Sequence, residues 1–308
     1  MDHLPEFAPL PPPLIDPAPP VPVPPPPFPN LAQAVGLTLL FLLLQFTAGL
    51  FVGILSGGRP PGAAAIAVIN LLSFAGVIAI GSSWGKLTFR RVLPLRPIPL
   101  ILVVPMFLTV IGASAIDSDL SNLVYWLIPP PSFVNEIFND VLGGRSHPIM
   151  SLVLLAVVAP LTEEIFFRGM LLSGLLLRYR PWRAIVITAA LFAFMHLNPW
   201  QFPTAMMLGV IFGWWLLRTR SLWPSLLGHA INNAIPAALA TFALPNVSGY
   251  TASAASEAEF QPLWFNLAGL ALALLGILWS RRIFARLPSP ILARPLLPQA
   301  ATEASIPL

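Results

Sequence analysis

The sequence predicts an all-α, polytopic membrane protein with about eight transmembrane helices. Of its 308 residues, 56% are hydrophobic and only 9% are charged, and the mean hydropathy is +0.81. A soluble globular domain carries about 25% charged residues, so most of this chain is expected to lie in a bilayer. Eight apolar runs follow the first 30 residues, and most of them approach the roughly 20 residues that a helix needs to cross a bilayer.

The predicted spans are residues 31–55, 63–83, 97–116, 148–177, 184–197, 202–217, 222–244 and 263–280. The segments that follow the second, fourth, sixth and eighth spans hold most of the lysines and arginines, whereas the alternate segments hold only Arg59 and Arg145. Because positive residues are retained on the cytoplasmic side, both termini are predicted to be cytoplasmic. The protein is expected in the inner (plasma) membrane, with residues 117–147 as an external loop that contains an interfacial helix.

Composition also divides the chain. Residues 1–30 hold fourteen of the 37 prolines, which favours a disordered or polyproline II tail. Residues 31–282 are predicted as one transmembrane domain, with its polar motifs in 148–244, and residues 283–308 as a cytoplasmic C-terminal tail. A chain poor in lysine and rich in alanine, proline and arginine, with a compact eight-span core, suggests a bacterial source.

Two features limit the classes of function. The chain has no cysteine, which excludes a thiol nucleophile, disulfides, iron–sulfur clusters and cysteine-ligated zinc. The net charge of +4 comes from short basic clusters between apolar runs, as the positive-inside rule requires, so no nucleic-acid partner is expected.

Charged side chains interrupt the fourth apolar run. Glu163, Glu164 and Arg168 lie within a membrane-length segment, where ionisable groups are costly and usually functional. On a helix, Glu164 and Arg168 are four residues apart and share a face, so they are predicted to pair. Glu163 points about 100° away and remains available for chemistry. The alternative interpretation is a structural ion pair with a spare carboxylate.

Two further runs carry histidines that share a helix face with another polar or aromatic residue. Phe192 and His196 are four residues apart in the fifth run, and His229 and Asn233 are four apart in the seventh. A lone membrane histidine is usually an interhelical hydrogen-bond partner. Two histidines beside a carboxylate pair and an asparagine in register favour a site near mid-membrane.

Three kinds of chemistry fit these residues. A carboxylate and an imidazole can activate a water by general-base catalysis, and a second imidazole with an amide can donate to an oxyanion. Glu163, His196 and His229 are also the ligand set of a catalytic zinc site with one open position. Buried Glu, His and Arg groups would equally suit a proton-coupled transporter.

The motifs resemble those of a known family. Glu163-Glu164-x-x-x-Arg168, Phe192-x-x-x-His196 and His229-x-x-x-Asn233 resemble the three motifs of the CAAX protease and bacteriocin-processing (CPBP, or Abi) family, in that order and on separate spans. Its members are intramembrane endopeptidases related to the type II CAAX prenyl proteases. The resemblance therefore implies a transmembrane protease domain that cleaves a membrane-associated protein or peptide at the lipid bilayer.

The resemblance also implies roles for individual residues. Glu163 and His196 would activate the attacking water, and His229 and Asn233 would stabilise the oxyanion. Glu164, Arg168 and Phe192 would support this site. The cofactor is a divalent metal such as zinc, or none. The zinc-helix motif His-Glu-x-x-His is absent, which favours water activated directly by the protein.

Overall fold

The computed structural model describes residues 27–58, 62–131, 148–242, 247–250 and 259–287. Over these ranges the chain is all-helical and has no strand, which confirms the predicted all-α class. A helix lies at each of the eight apolar runs. The predicted N-terminal tail falls outside the described residues up to residue 26, and the C-terminal tail does so from residue 288.

We number the helices in chain order. They are α1 (Leu31–Leu55), α2 (Ala63–Gly85), the short α3 (Phe89–Val92), α4 (Val103–Leu127), α5 (148–175), α6 (Pro181–Met195), α7 (Phe202–Thr219), α8 (Trp223–Phe242) and α9 (Leu263–Arg286). The 3₁₀ turn Leu100–Leu102 leads into α4. Helix α5 contains two π-helical stretches, Leu154–Val158 and Ile165–Leu172, on either side of Ala159–Glu164.

In the described part of the chain, four helices are long and apolar enough to cross a membrane: α1, α2, α4 with its preceding turn, and α9. Helix α6 has 15 residues, about 22 Å at 1.5 Å per residue, which is less than the roughly 30 Å hydrocarbon core. Helix α5 is divided by its π stretches and contains three charged residues. The chain is thus a membrane protein, and eight crossings remain a prediction.

Helix α4 differs from the sequence-based expectation. It continues to Leu127, so the first part of the predicted external loop 117–147 is a continuation of the helix. Its polar residues contact protein in place of water, because Ser118 Oγ and Asn122 Nδ2 both donate to the carbonyl of Gly249, at 3.0 and 2.7 Å. The polar side chains that suggested a loop bind the turn at 247–250 instead. Residues 132–147 lie outside the described part of the chain.

The packed body begins before α1. Phe28 is buried, and its ring lies 5.5 Å from that of Trp84 at the end of α2. The Arg178 guanidinium donates from Nε to the Pro27 carbonyl at 2.5 Å. Residues 27–30 therefore belong to the folded domain, although they read as part of the proline-rich tail.

An aromatic core surrounds α5. Phe74, Phe166, Phe167 and Phe192 are almost fully buried and follow one another as ring contacts, with centroids 4.9 to 5.7 Å apart. They link α2, α5 and α6. Contacts of this kind add about 0.5–1.5 kcal/mol per pair beyond area burial, and they fix α5, which carries the carboxylates, against α6, which carries the first histidine.

Candidate active site

The carboxylates lie where the hydrogen-bond register of α5 changes. Glu163 and Glu164 end the α-helical turn Ala159–Glu164, between the two π-helical stretches. A π register widens the helix by one residue and leaves some backbone groups without their ordinary partner, and it occurs frequently at functional sites. The helix that presents the charged residues is therefore irregular on both sides of them.

Pro160 explains why one of these irregularities exposes a carbonyl. In an α register the Leu155 carbonyl would accept from the N–H of Ala159, but that N–H donates to Leu154 instead. In a π register it would accept from residue 160, which is proline and has no N–H. Asn233 Nδ2 donates to this carbonyl at 3.0 Å. The motif asparagine of α8 is thus held by a backbone group that Pro160 leaves free.

Glu164 is the central acceptor of the site. Its Oε1 accepts from Arg168 Nη1 and from His229 Nδ1, both at 2.8 Å, and all three side chains are buried. The ion pair with Arg168 is the one predicted from helical spacing. The contact with His229 adds a link between α5 and α8 that the sequence did not indicate. Because a carboxylate only accepts, the proton lies on Nδ1 and the Nε2 edge of His229 is directed elsewhere.

Two phenylalanine rings enclose the buried guanidinium. The Arg168 Cζ lies 4.4 Å from the ring centroid of Phe192 and 5.5 Å from that of Phe212. Such cation–π contacts stabilise a desolvated cation by about 2 kcal/mol. Phe192 also contacts both histidine rings edge-on, with centroids 5.1 Å from His196 and 5.7 Å from His229. Phe192 therefore packs against three of the predicted site residues.

His196 stands at the end of α6. Its Nδ1 lies 2.9 Å from the Phe192 carbonyl, which can only accept, so Nδ1 is the donor and Nε2 keeps its lone pair in the neutral ring. The next residue, Leu197, has φ +49°, a left-handed conformation that costs a non-glycine residue about 1–3 kcal/mol and is concentrated at functional sites. It ends the helix directly after the histidine. His196 is half-buried, whereas His229 is 4% exposed.

Glu163 differs from its neighbour in its partners. In the described part of the chain its carboxylate accepts no hydrogen bond, and the His229 Nε2 lies 3.7 Å from its Oε2. That distance exceeds a hydrogen bond. Glu163 is buried and lies within electrostatic range of His229 and His196. Its lone pairs are therefore available to a donor that is not a protein side chain.

The residues predicted as metal ligands do not form a closed ligand set in this arrangement. No group of three His, Asp or Glu in the described ranges lies close enough together to hold a metal ion. The candidates Glu163, His196 and His229 are near one another, and each histidine has Nδ1 occupied and Nε2 free, as metal-ligating histidines usually do. The described residues thus provide no cluster of three ligands, and a metal at this site stays a prediction.

The three motifs converge as far as the described contacts reach. Glu164 on α5 bonds to His229 on α8, and Asn233 of α8 donates to the Leu155 carbonyl of α5. From α6, Phe192 packs against both histidine rings. Three contributors escaped the sequence analysis: Phe212, Pro160 and the Leu155 carbonyl. A proline inside an apolar run was a readable signal of a helix irregularity, whereas nothing distinguished Phe212 from other core aromatics.

The part of the chain that carries the three motifs also matches a protein-family model. Residues 145–235 match the family model described as Type II CAAX prenyl endopeptidase Rce1-like. The matched segment contains every residue of the three motifs, which confirms the resemblance predicted from them. No curated protein and no solved structure matches the chain. The match covers residues 145–235 of the 308, and it makes this segment similar to the type II CAAX prenyl endopeptidases.

Proposed function

We propose that this protein is an intramembrane endopeptidase that hydrolyses a peptide bond of a membrane-associated protein or peptide. One observation carries the proposal: adjacent carboxylates with opposite surroundings. Glu164 accepts from both Arg168 and His229 at 2.8 Å, whereas Glu163 accepts no hydrogen bond from any described residue. A buried carboxylate without a donor is costly, and a water is the donor that a hydrolase would place there.

Activation of that water requires a second acceptor nearby. His196 supplies one, because Nδ1 donates to the Phe192 carbonyl and leaves the Nε2 lone pair free. Glu163 and His196 would orient the water, one of them would take its proton as the oxygen attacks the carbonyl carbon, and the proton would pass to the leaving amine. This general-base step typically contributes about 10²–10⁴-fold to the rate.

The oxyanion would form on the α8 side. Asn233 uses one Nδ2 hydrogen on Leu155 O and keeps the second. His229 donates Nδ1–H to Glu164, so it can donate through Nε2 only when it carries both protons, and the two adjacent carboxylates balance that charge. Donors of this kind, fixed in a low-dielectric site, act where charge develops in the transition state.

A cleavage assay tests this proposal. Purified protein in lipid nanodiscs should cleave members of a quenched membrane-peptide library, and Glu163→Gln should abolish cleavage. The melting temperature of Glu163→Gln should stay close to that of the wild type, because the carboxylate makes no hydrogen bond to lose. Wild-type turnover by Glu163→Gln would remove Glu163 as the base. A parallel arm with a chelator, followed by zinc restoration, measures metal dependence directly.

The same preparation addresses the transporter that the sequence alone left open. The comparisons give that alternative no support. Proton-coupled flux measured in proteoliposomes without any cleavage would contradict the protease.

We also propose eight crossings with both termini cytoplasmic in the inner membrane, based on the alternating basic segments. The short helix α6 is the critical case. In this cysteine-free chain, Pro199→Cys should react with an impermeant maleimide from outside intact cells, whereas Arg183→Cys should react only after lysis. Both positions are exposed on the molecule, so accessibility is set by the membrane. Labelling of both positions from one side would contradict a crossing by α6.

A further inference from the structure

A second cleft lies apart from the candidate active site. It occupies about 640 Å³ between α7, α9 and the start of α6, and none of the seven motif residues lines it. Its apolar wall and its cations are formed mainly by Val210, Ile211, Trp214, Ile277, Arg218 and Arg281. A cleft with one apolar wall and two guanidinium groups has the polarity of an amphiphile-binding site.

On each of the two long helices, an arginine follows the apolar residues that line the cleft. On α7, positions 210, 214 and 218 follow at intervals of four and share a face, so the apolar track leading to Arg218 is about 12 Å long at 1.5 Å per residue. On α9, Ile277 precedes Arg281 by the same interval. Both helices therefore present an apolar stretch followed by an arginine, in the same direction along the chain.

Arg218 is held in place. Its Nη2 donates to the Phe284 carbonyl at 2.7 Å, and its Cζ lies 5.8 Å from the Phe284 ring centroid. A guanidinium has five N–H donors, so this bond leaves others for a ligand. Arg281 is exposed beside it, and it can approach an anion from the opposite wall.

The helices that line the cleft carry no acidic residue. The sequence contains no Asp or Glu between Glu164 and Glu257, nor between Glu259 and Glu303. These stretches include all of α6, α7 and α9, the three helices that line the cleft. Among the described residues no carboxylate forms an ion pair with Arg218 or Arg281, so both guanidinium groups are available to an anionic ligand.

An anionic lipid combines a negative charge with apolar acyl chains, and the cleft has groups that fit both. Basic pockets between transmembrane helices bind the head groups of anionic lipids, and tryptophans such as Trp214 prefer the membrane interface. We propose that the cleft binds an anionic phospholipid, with its phosphate on Arg218 and Arg281 and one acyl chain along the apolar wall of α7 and α9. This site is independent of the proposed protease activity.

Thermal-shift titrations of the full chain in a neutral detergent test the site. Phosphatidylglycerol should raise the melting temperature in a saturable manner. Phosphatidylcholine with the same acyl chains should not, because it has no net negative charge, and inorganic phosphate should not, because it cannot use the apolar wall. An equal shift with phosphatidylcholine would contradict selection for negative charge. An equal shift with phosphate alone would contradict the proposal that the ligand is a lipid.

A pair of neighbouring arginines provides the matched control. Arg281→Gln should weaken phosphatidylglycerol binding by about 10- to 100-fold, the loss expected for one charge-assisted hydrogen bond. Arg282→Gln removes the same charge from the same exposed turn, but its side chain does not line the cleft, so the midpoint should stay within about twofold. Equal weakening in both variants would indicate diffuse attraction and would overturn the site.

Discussion

The pair α4–α9 and the group α5–α6–α8 hold the molecule together by opposite means. Between α4 and α9 the backbones approach so closely that a Cβ on Gly112 would lie 2.3 Å from the Ala273 nitrogen, and one on Gly276 would lie 2.5 Å from the Pro105 carbonyl oxygen. This is packing by small residues, as membrane helix pairs often use. Around α5, by contrast, buried charged and polar groups bond between helices.

The contrast separates stability from chemistry. Helices that pack through small residues lose stability when a methyl group is added at the contact, but the contact contains no side chain that could take part in catalysis. Helices joined by charge lose stability when one partner is removed, because the other is left buried and unpaired. In the second region the same side chains serve the reaction, so one substitution there can alter either property. The predictions below test this separation from the largest expected effect to the smallest.

The largest effect is expected from Glu164→Gln. Glu164 pairs with Arg168 and with His229 through the same oxygen, and its loss leaves the buried Arg168 guanidinium without its hydrogen-bonded carboxylate. Breaking a buried pair from one side costs about 3–5 kcal/mol. The free energy of unfolding, measured in detergent, should fall by that amount, whereas Glu163→Gln should change it by under about 1 kcal/mol. Equal destabilisation by the two substitutions would contradict their different surroundings.

Asn233→Ala should affect the rate more than the fold. Loss of one oxyanion donor costs about 2.7–4 kcal/mol, a hundred- to a thousandfold in kcat. KM should change little, because the donor acts when charge develops on the carbonyl oxygen. The neighbouring Asn232→Ala is the control, since the side-chain contact that Asn232 makes with described residues is a long one, 3.5 Å to Asn233 Oδ1. Steady-state kinetics in nanodiscs compare the two, and a pure KM effect of Asn233→Ala would remove the oxyanion role.

Gly112→Ala tests the region joined by shape. The added methyl group would meet backbone atoms of α9 at 2.3 and 2.4 Å, and overpacking of this kind typically costs about 1–3 kcal/mol. The kcat of the folded fraction should stay unchanged. Gly36→Ala on α1 is the control, because nothing lies within 4 Å of its Cβ position, and it should be neutral or gain up to about 1 kcal/mol. A loss of kcat in Gly112→Ala without unfolding would connect the two regions.

The local part of this site was readable from the sequence, and the nonlocal part was not. The Glu164–Arg168 pair follows from four-residue spacing along one helix, and so does the edge-on contact of Phe192 with His196. The bond from His229 to Glu164 joins residues 65 positions apart. It depends on the position of α8 along the axis of α5. That position is set by packing against other helices as well, including α7, where a Cβ on Gly228 would lie 2.6 Å from the Trp215 ring.

The same limit explains the two differences in the fold. The polar residues of α4 suggested a loop because their partner, the turn at 247–250, lies more than 120 positions later in the chain. Residues 27–30 suggested a tail because proline composition carries no information about the burial of Phe28 between α2 and α5. In both cases the local composition was identified correctly, but it carried no information about the distant residues that these segments contact.

The smallest expected effect, and the most specific, is that of Pro160→Ala. The substitution supplies an N–H at residue 160 that can donate to the Leu155 carbonyl and displace Asn233 Nδ2 from it. Asn233 would lose the hydrogen bond that orients its side chain, and such a bond is worth about 0.5–1.5 kcal/mol net. We therefore expect kcat to fall about 2- to 13-fold with KM unchanged. Pro203→Ala is the matched control. Pro203 lies in the first turn of α7, where an N–H has no intrahelical acceptor in any case, so kcat should match the wild type.

A double-mutant cycle decides whether Pro160 acts through Asn233. If it does, Pro160→Ala should have no further effect on kcat in the Asn233→Ala background, because the side chain that it positions is already absent. A general loosening of α5 would predict the opposite, since the two losses would then multiply. Multiplicative losses would show that Pro160 supports the carboxylates of α5 directly, and the coupling between the π-helical stretch and the asparagine of α8 would have to be abandoned.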